Sequence, residues 1–574
     1  MTNASKLLRF DRLFRFAGGP GAALLLCAWL PTAAAQTTTT WITNVSGYTP
    51  TRSGFMAFGA MGIGADGRVT HIGRVAPAMD ADSKIRVVNG GGLTLIPGLI
   101  DAHAHLLSEA RLLREVNLVG ATSVDEARGR IADFLEDPEH REGWVLGRGW
   151  NQVLWPGKAF PTAADLDDVE RQRPVFLRRI DGHAGWANSR ALEIGGITKD
   201  TPDPVGGRIL RDENGAASGV LIDTAMDLVG RHIPPEALLP SDRDLRETVA
   251  RLNREGLTGV HQAGISIAQA RRLDRLYADA GLPMRLYLML DADADLAEFG
   301  APWRSRHDDR LAARAVKLYA DGALGSRGAA MLEPYLDEPT SRGLLFQTDA
   351  QLNAAALRAH NAGFQVGIHA IGDAGNRQAL NAIEAILDGA DNRLRHRIEH
   401  VQVLSLDDLG RLASMGVIAS MQPVHAVSDK NMAEDRIGPQ RIKGAYAWRS
   451  LLDRGTVIAA GSDFPVELSN PFHGLHAAIT RRDADGNPPA GWYRNEAMTR
   501  PEALTAYTLS AAYAAHQEDV VGSLEPGKWA DFILLDRNIM TVPEQHIRDT
   551  RVLQTWVSGT RVFAAPEAPG KAAP

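Results

Sequence analysis

The chain has 574 residues, a formal net charge of −7, 23% charged and 44% hydrophobic residues. That length exceeds a single ordinary core and predicts one large domain with additions. The balance is ordinary for a globular protein, and no basic bias points to nucleic acid as a partner.

The first 35 residues stand apart. Lys6, Arg9, Arg12 and Arg15 precede the apolar run GAALLLCAWL, which leads into PTAAAQ. A basic start, a short apolar stretch and an A-x-A site at Ala33–Ala35 predict a secretory signal peptide cleaved before Gln36. The run is too short and too Gly/Pro-bounded for a good membrane span, so no stable membrane insertion is expected after cleavage. An uncleaved anchor is the alternative, and Leu26 before Cys27 argues against a lipoprotein. Cleavage removes four bases and one acid (Asp11) from a chain at −7, leaving −10, together with Cys27, the only cysteine. The mature chain then has neither disulfide nor thiolate, which fits a periplasmic or secreted location. Any metal must be held by nitrogen and oxygen ligands.

From Trp41 to about Leu95 short strand patterns alternate with Gly-rich turns, and an Ala65-Asp66-Gly67 turn between two of them predicts a hairpin. A similar pattern returns near the C-terminus, with a second hairpin turn at Ser558-Gly559. Segments 36–95 and 518–566 are therefore expected to form one composite β-sandwich, followed by a flexible tail at 567–574. Between them, in 96–517, lie eight apolar strand candidates: 95–103, 257–263, 285–290, 315–320, 364–369, 397–401, 417–421 and 457–463. Helical patterns separate most of them. Capping boxes are read at Ser123/Glu126, Thr348/Gln351 and Ser405/Asp408, with stops at Gly363 and Gly416. The alternation predicts an α/β fold, a parallel (β/α)8 TIM barrel. Residues 120–250 are too many for one crossover and read as an inserted cap subdomain over the barrel mouth. Its Trp144, Trp150, Trp155 and Trp186 are candidates for a substrate wall, with plain packing as the alternative.

Metal-capable residues end several of these apolar runs: His103 and His105 in LTLIPGLIDAHAH, Lys317 in AVKLYADG, His369 in FQVGIHAIGD, His400 in RIEHV and Asp463 in VIAAGSDFP. Residues i and i+2 of a strand face the same way, so His103 and His105 present two imidazoles together. Such residues at the ends of separate strands converge most economically at one end of a barrel.

PGLIDAHAHL, VKLYADGALGSRGAAM, IHAIGD, RIEHVQ and GSDFPV, with DGHAGWANSRAL in the insertion, resemble the metal-dependent amidohydrolase superfamily. Within it they look like the amidohydrolase 3 (YtcJ-like) branch, which includes N-substituted formamide deformylase. The resemblance runs from about 41 to 563. It implies that His103 and His105 bind the more buried of two divalent ions, zinc by ligand chemistry, and that His369 and His400 bind the more exposed one. It implies that Lys317, carbamylated by CO2, bridges both, and that Asp463 ligates metal and shuttles a proton. The resemblance also implies C–N bond hydrolysis of a small amide, N-formyl or carbamate-type substrate.

Alternatives accompany these expectations. Unmodified Lys317 would leave one metal, as in a mononuclear deaminase of a heterocyclic amine using His103, His105, His369 and Asp463. A non-catalytic metal- or ligand-binding barrel is a different class, and a phosphotriester or lactone would suit the same chemistry. His183, Trp155, Asp321 and Ser326 are candidate substrate contacts. Glu399, next to His400, is expected on the opposite strand face, in a packing or supporting role. His261, His360 and His425 show no partner logic. Assembly as a homodimer is left open by the sequence.

Overall fold

The computed structural model describes residues 38–566, apart from 78–83, 139–141, 180–183, 205–206, 280 and 326. The signal-peptide and C-terminal-tail expectations lie outside the described residues, as do His183 and Ser326. The chain divides into two compact units, one of residues 1–105 and 249–574 and one of 106–248.

The first unit contains the barrel. Its strands are β1 (Leu99–Ala104), β2 (Leu257–Ile265), β3 (Arg285–Leu290), β4 (Leu311–Tyr319), β5 (Gln365–Ala370), β6 (Arg397–His400), β7 (Ile418–Met421) and β8 (Ile458–Ala460). Each predicted strand has an observed counterpart. They lie side by side in chain order, every neighbouring pair parallel. Strands buried on both faces read as near-continuous apolar runs, and all six residues of β1 and of β3 are buried. β1 and β8 are the two ends of this nearly closed sheet. Beyond β8 the chain is joined to β1 by Asp463 N–H donating to His103 O (2.8 Å) and by His105 N–H donating to Phe464 O (2.8 Å). Asp101 of β1 accepts from both the amide (3.0 Å) and the hydroxyl (2.6 Å) of Ser462. The chains approach so closely that a Cβ on Gly461 would lie 2.5 Å from Asp101 Oδ1, which only glycine avoids.

Local signals behave unevenly. Thr348 and Gln351 form the predicted capping box of the helix Asp349–Asn361, with Gly363 at φ +81° just beyond it. Ser123 caps Val124–Glu136, but Glu126 turns its carboxylate to the amide of Thr122 (2.8 Å), so that box is half made. The Ser405/Asp408 box does not form. The helix spans Leu409–Met415, and Asp408 accepts instead from Arg377 (2.9 Å) and Arg411 (3.1 Å), because two guanidinium donors outcompete one amide.

A six-stranded sheet interleaves the termini, in the order Thr560–Ala564, Val552–Val557, Phe532–Leu535, Thr94–Pro97, Ser46–Thr51, Gly54–Phe58. A four-stranded sheet comes from the N-terminal side alone. Ile42, Met61 and Val69 of the smaller sheet share one core with Leu95, Phe532 and Trp556 of the larger, as a sandwich requires. Both predicted hairpin turns are present, with Gly67 at φ +80° and Ser558 and Gly559 at +49° and +70°. The sandwich is tied to β3 by Arg285, buried and paired with Asp531 through two hydrogen bonds of 2.6 and 2.9 Å.

The second unit has its own six-stranded mixed sheet. The tryptophans proposed as a substrate wall instead serve its core. Trp150, Trp155 and Trp186 are packed together and buried, and their indole N–H groups donate to Leu177 O, Ala121 O and Thr162 O. An indole buried with its donor satisfied within the unit is a packing residue.

Candidate metal centre

The side chains at the C-terminal ends of the barrel strands form one cluster. His103, His400 and Asp463 each offer a ligand atom, and these atoms all lie within 4.8 Å of one another. His105 Nε2 is 3.2 Å from Asp463 Oδ1, and Lys317 Nζ is 3.3 Å from His103 Nε2. The His369 ring centroid lies 4.5 Å from that of His400. The triad thus joins His103, expected at the buried metal, to His400, expected at the exposed one.

Each imidazole is turned by a partner on its far side. His103 donates Nδ1–H to Glu399 Oε2 (2.5 Å), and His400 donates Nδ1–H to Gln422 Oε1 (2.9 Å). Both Nε2 lone pairs therefore face the cluster, as metal ligation requires. Glu399 is held by the fully buried Arg397 through bonds of 2.6 and 2.9 Å, and Arg397 also donates to Ala102 O and Ser420 Oγ. The expectation that Glu399 faces away from the site is corrected. His400 has φ +76°, which breaks the alternation of the strand, and both side chains turn inward.

The electrostatics match. Burial, aided by the Lys317 charge, lowers the His103 pKa well below its ordinary value, and the same two effects bring His369 down to about 4. Burial and the neighbouring His369 hold His400 neutral. Burial opposes ionisation of Asp463, but His105, His103 and His425 around it outweigh burial and hold its carboxyl below the usual range. Burial likewise raises Glu399, yet Arg397 and Lys317 prevail and keep it ionised. Lys317, 1% exposed, is lowered by burial to about 8. Neutral imidazoles beside an ionised carboxylate are the donor set of a divalent cation. His369 Nε2 and Asp463 Oδ1, buried and without a hydrogen-bond partner, are the orphaned atoms such an ion would satisfy.

Asp321 has a different task from the substrate contact expected of it. It is buried, and its carboxylate accepts from the amides of Ile371 (2.9 Å), Gly372 (2.8 Å) and Ala330 (2.8 Å), fastening the loop after β4 to the end of β5. Two residues given no specific role reach the cluster after β7: Gln422, against His400, and His425, whose Nε2 is 4.0 Å from Asp463 Oδ2. The motif MQPVH carried both. Because β7 contributes no expected ligand, the strand-end pattern did not single them out.

A parallel barrel bearing these ligands at its C-terminal strand ends defines a metal-dependent hydrolase. The chain belongs to the amidohydrolase family, whose profile (Amidohydro_3) matches residues 86–563. It is 34% identical over 498 residues to the protein LONG AFTER FAR-RED 3 of Arabidopsis thaliana, covering 83% of each chain. It is 31% identical over 482 residues to YtcJ of Bacillus subtilis (82% and 89% covered). It is 28% identical over 527 residues to the N-substituted formamide deformylase of Arthrobacter pascens (86% and 93%). An uncharacterised metal-dependent hydrolase of Pyrococcus horikoshii superposes with a TM-score of 0.74 at 26% identity, covering 88% of this chain and 99% of that one.

Proposed function

We propose that the protein hydrolyses a C–N bond of a small amide, N-formyl or carbamate-type substrate. The observation that carries this reading is the convergence of His103, His400 and Asp463, with Lys317 buried beside them. The similarity to an N-substituted formamide deformylase directs it to C–N substrates.

His103, His105 and Asp463 would hold one divalent ion and His369 and His400 a second, with Lys317 between. Zinc suits these nitrogen and oxygen donors. Ions held there would supply Lewis acidity for the scissile carbonyl and for the attacking water. The Lys317 amine, made easier to deprotonate by burial, adds CO2 and releases a proton, giving a carbamate with two ligand oxygens. Asp463 accepts the proton of the attacking water and passes it to the leaving nitrogen. Glu399 and Arg397 keep His103 in the tautomer that leaves Nε2 free.

A second reading, a mononuclear deaminase of a heterocyclic amine using His103, His105, His369 and Asp463, is favoured by the approach of His105 (3.2 Å) and His103 (3.7 Å) to the one oxygen Asp463 Oδ1. Elemental mass spectrometry of the purified chain from Gln36 onward, with bicarbonate present, separates the two. Near two metal equivalents, falling after Lys317→Ala, are expected; one equivalent untouched by Lys317→Ala would overturn the bridged site. For location, we infer export from the cytoplasm on the N-terminal segment. N-terminal sequencing of protein from the periplasmic fraction should read from Gln36, and a cytoplasmic protein retaining residues 1–35 would refute it.

A further inference from the structure

The segment after β7 turns at once into the helix Pro423–Asp429, with proline at its first position. The far end of this helix is pinned, since Asp429 accepts from Tyr446 Oη (2.5 Å) and Gln402 Nε2 (2.5 Å). Its first turn carries His425. The His425 ring lies nearly parallel to that of His400, at 16° and 6.0 Å between centroids. Its Nε2 is buried and has no hydrogen-bond partner. An unpartnered buried nitrogen is costly, so a rigid element that holds one toward a reacting carboxylate calls for a missing partner.

The two oxygens of Asp463 have different neighbours. Oδ1 is the one near His105 (3.2 Å) and His103 (3.7 Å), while Oδ2 is 4.0 Å from His425 Nε2. That gap is too long for a hydrogen bond, and an atom that bonds to both sides would close it.

We propose that His425 is a catalytic residue that contacts the substrate, its Nε2 accepting the N–H of the leaving nitrogen and so turning that nitrogen's lone pair toward Asp463 Oδ2. This rests on the C–N hydrolysis proposed above. There the new C–O bond forms from water, the C–N bond breaks, and the proton taken by Asp463 ends on the departing amine. His425 neither gains nor loses a proton overall; it aligns the nitrogen lone pair with the carboxylic proton of Asp463.

The test compares wild-type, His425→Phe and His425→Asn proteins, zinc-loaded, on N-benzylformamide and on p-nitrophenyl acetate, whose leaving group departs as a stable anion. His425→Phe should keep the wild-type metal content and melting temperature. It should lose about 100-fold in kcat on the formamide and far less on the ester, which has no N–H to offer, a fall typical of removing one reacting-site hydrogen bond. His425→Asn, which keeps an acceptor in its side-chain oxygen, should recover part of the loss. Equal losses on both substrates, no loss on either, or a loss of metal would overturn the proposal. If wild-type protein cleaves neither substrate, the C–N reading fails separately. Calorimetric binding of acetohydroxamate then decides the contact: about tenfold weaker binding to His425→Phe supports it, and unchanged binding refutes it.

Discussion

His400 and Asp463 both hold left-handed backbone, at φ +76° and +63°. Residues other than glycine adopt this region at a cost of order 1–3 kcal/mol each, a strain that the surrounding hydrogen bonds must sustain. The outcome is a set of side chains aimed at one point from strands that would otherwise alternate. Period-2 reasoning put His103 and His105 on one face, and both rings do lie beside Asp463 Oδ1, but it put Glu399 on the wrong face, because a positive φ at a non-glycine residue leaves no mark in the sequence. Glu399 is now the residue whose loss should be most informative among the supporting groups. Glu399→Gln keeps the size but removes the charge that orients His103, so metal affinity should fall about 10–100-fold by competition with a chromophoric chelator. Unchanged affinity would mean that His103 is oriented without it.

At the scale of elements, the eight barrel strands were legible because burial on both faces writes itself as unbroken apolar runs, and the Thr348 and Gly363 helix boundaries because caps act locally. Ser405/Asp408 misled because Asp408 is claimed by Arg377 and Arg411, which are distant in the sequence or invisible to a four-residue pattern. Trp155 and Asp321 misled in the same way, since the indole and the carboxylate find their partners through the fold. The pairing of Arg285 with Asp531 belongs to this class of long-range contacts, joining β3 to the strand Phe532–Leu535 by the residue before it. Asp531→Ala would leave a buried guanidinium without its carboxylate, and should destabilise the protein by about 3–5 kcal/mol. Denaturant unfolding measures this, and a change below about 1 kcal/mol would show that Ser558 Oγ and Asp308 O suffice for Arg285.

For the whole molecule, acid sensitivity follows from histidines far from the metal cluster. His396 accepts the Val366 amide at Nδ1 (2.9 Å), and its Nε2 meets His360 Nδ1 (2.9 Å); burial brings its pKa down to about 3. Burial, with Arg314 and Arg395, does the same to His516. Both groups take up a proton more readily when unfolded, near 6.5, than when folded. Their contribution is therefore complete above about pH 6.5 and is lost as pH falls toward 3. The melting temperature should decline across that window, and His396→Asn should flatten the decline; an identical slope would exclude His396 as a source. The join between β1 and the residues after β8 has a consequence for how the ring closes. Asp101 and Ser462 stand at opposite ends of the barrel sequence, so their meeting is among the least local contacts of the chain and is expected late in folding. His103 and Asp463 lie on either side of the same line, so a cation shared by them would add a clasp to the hydrogen bonds that already join the two ends, and would tie the chemistry to the closure of the ring.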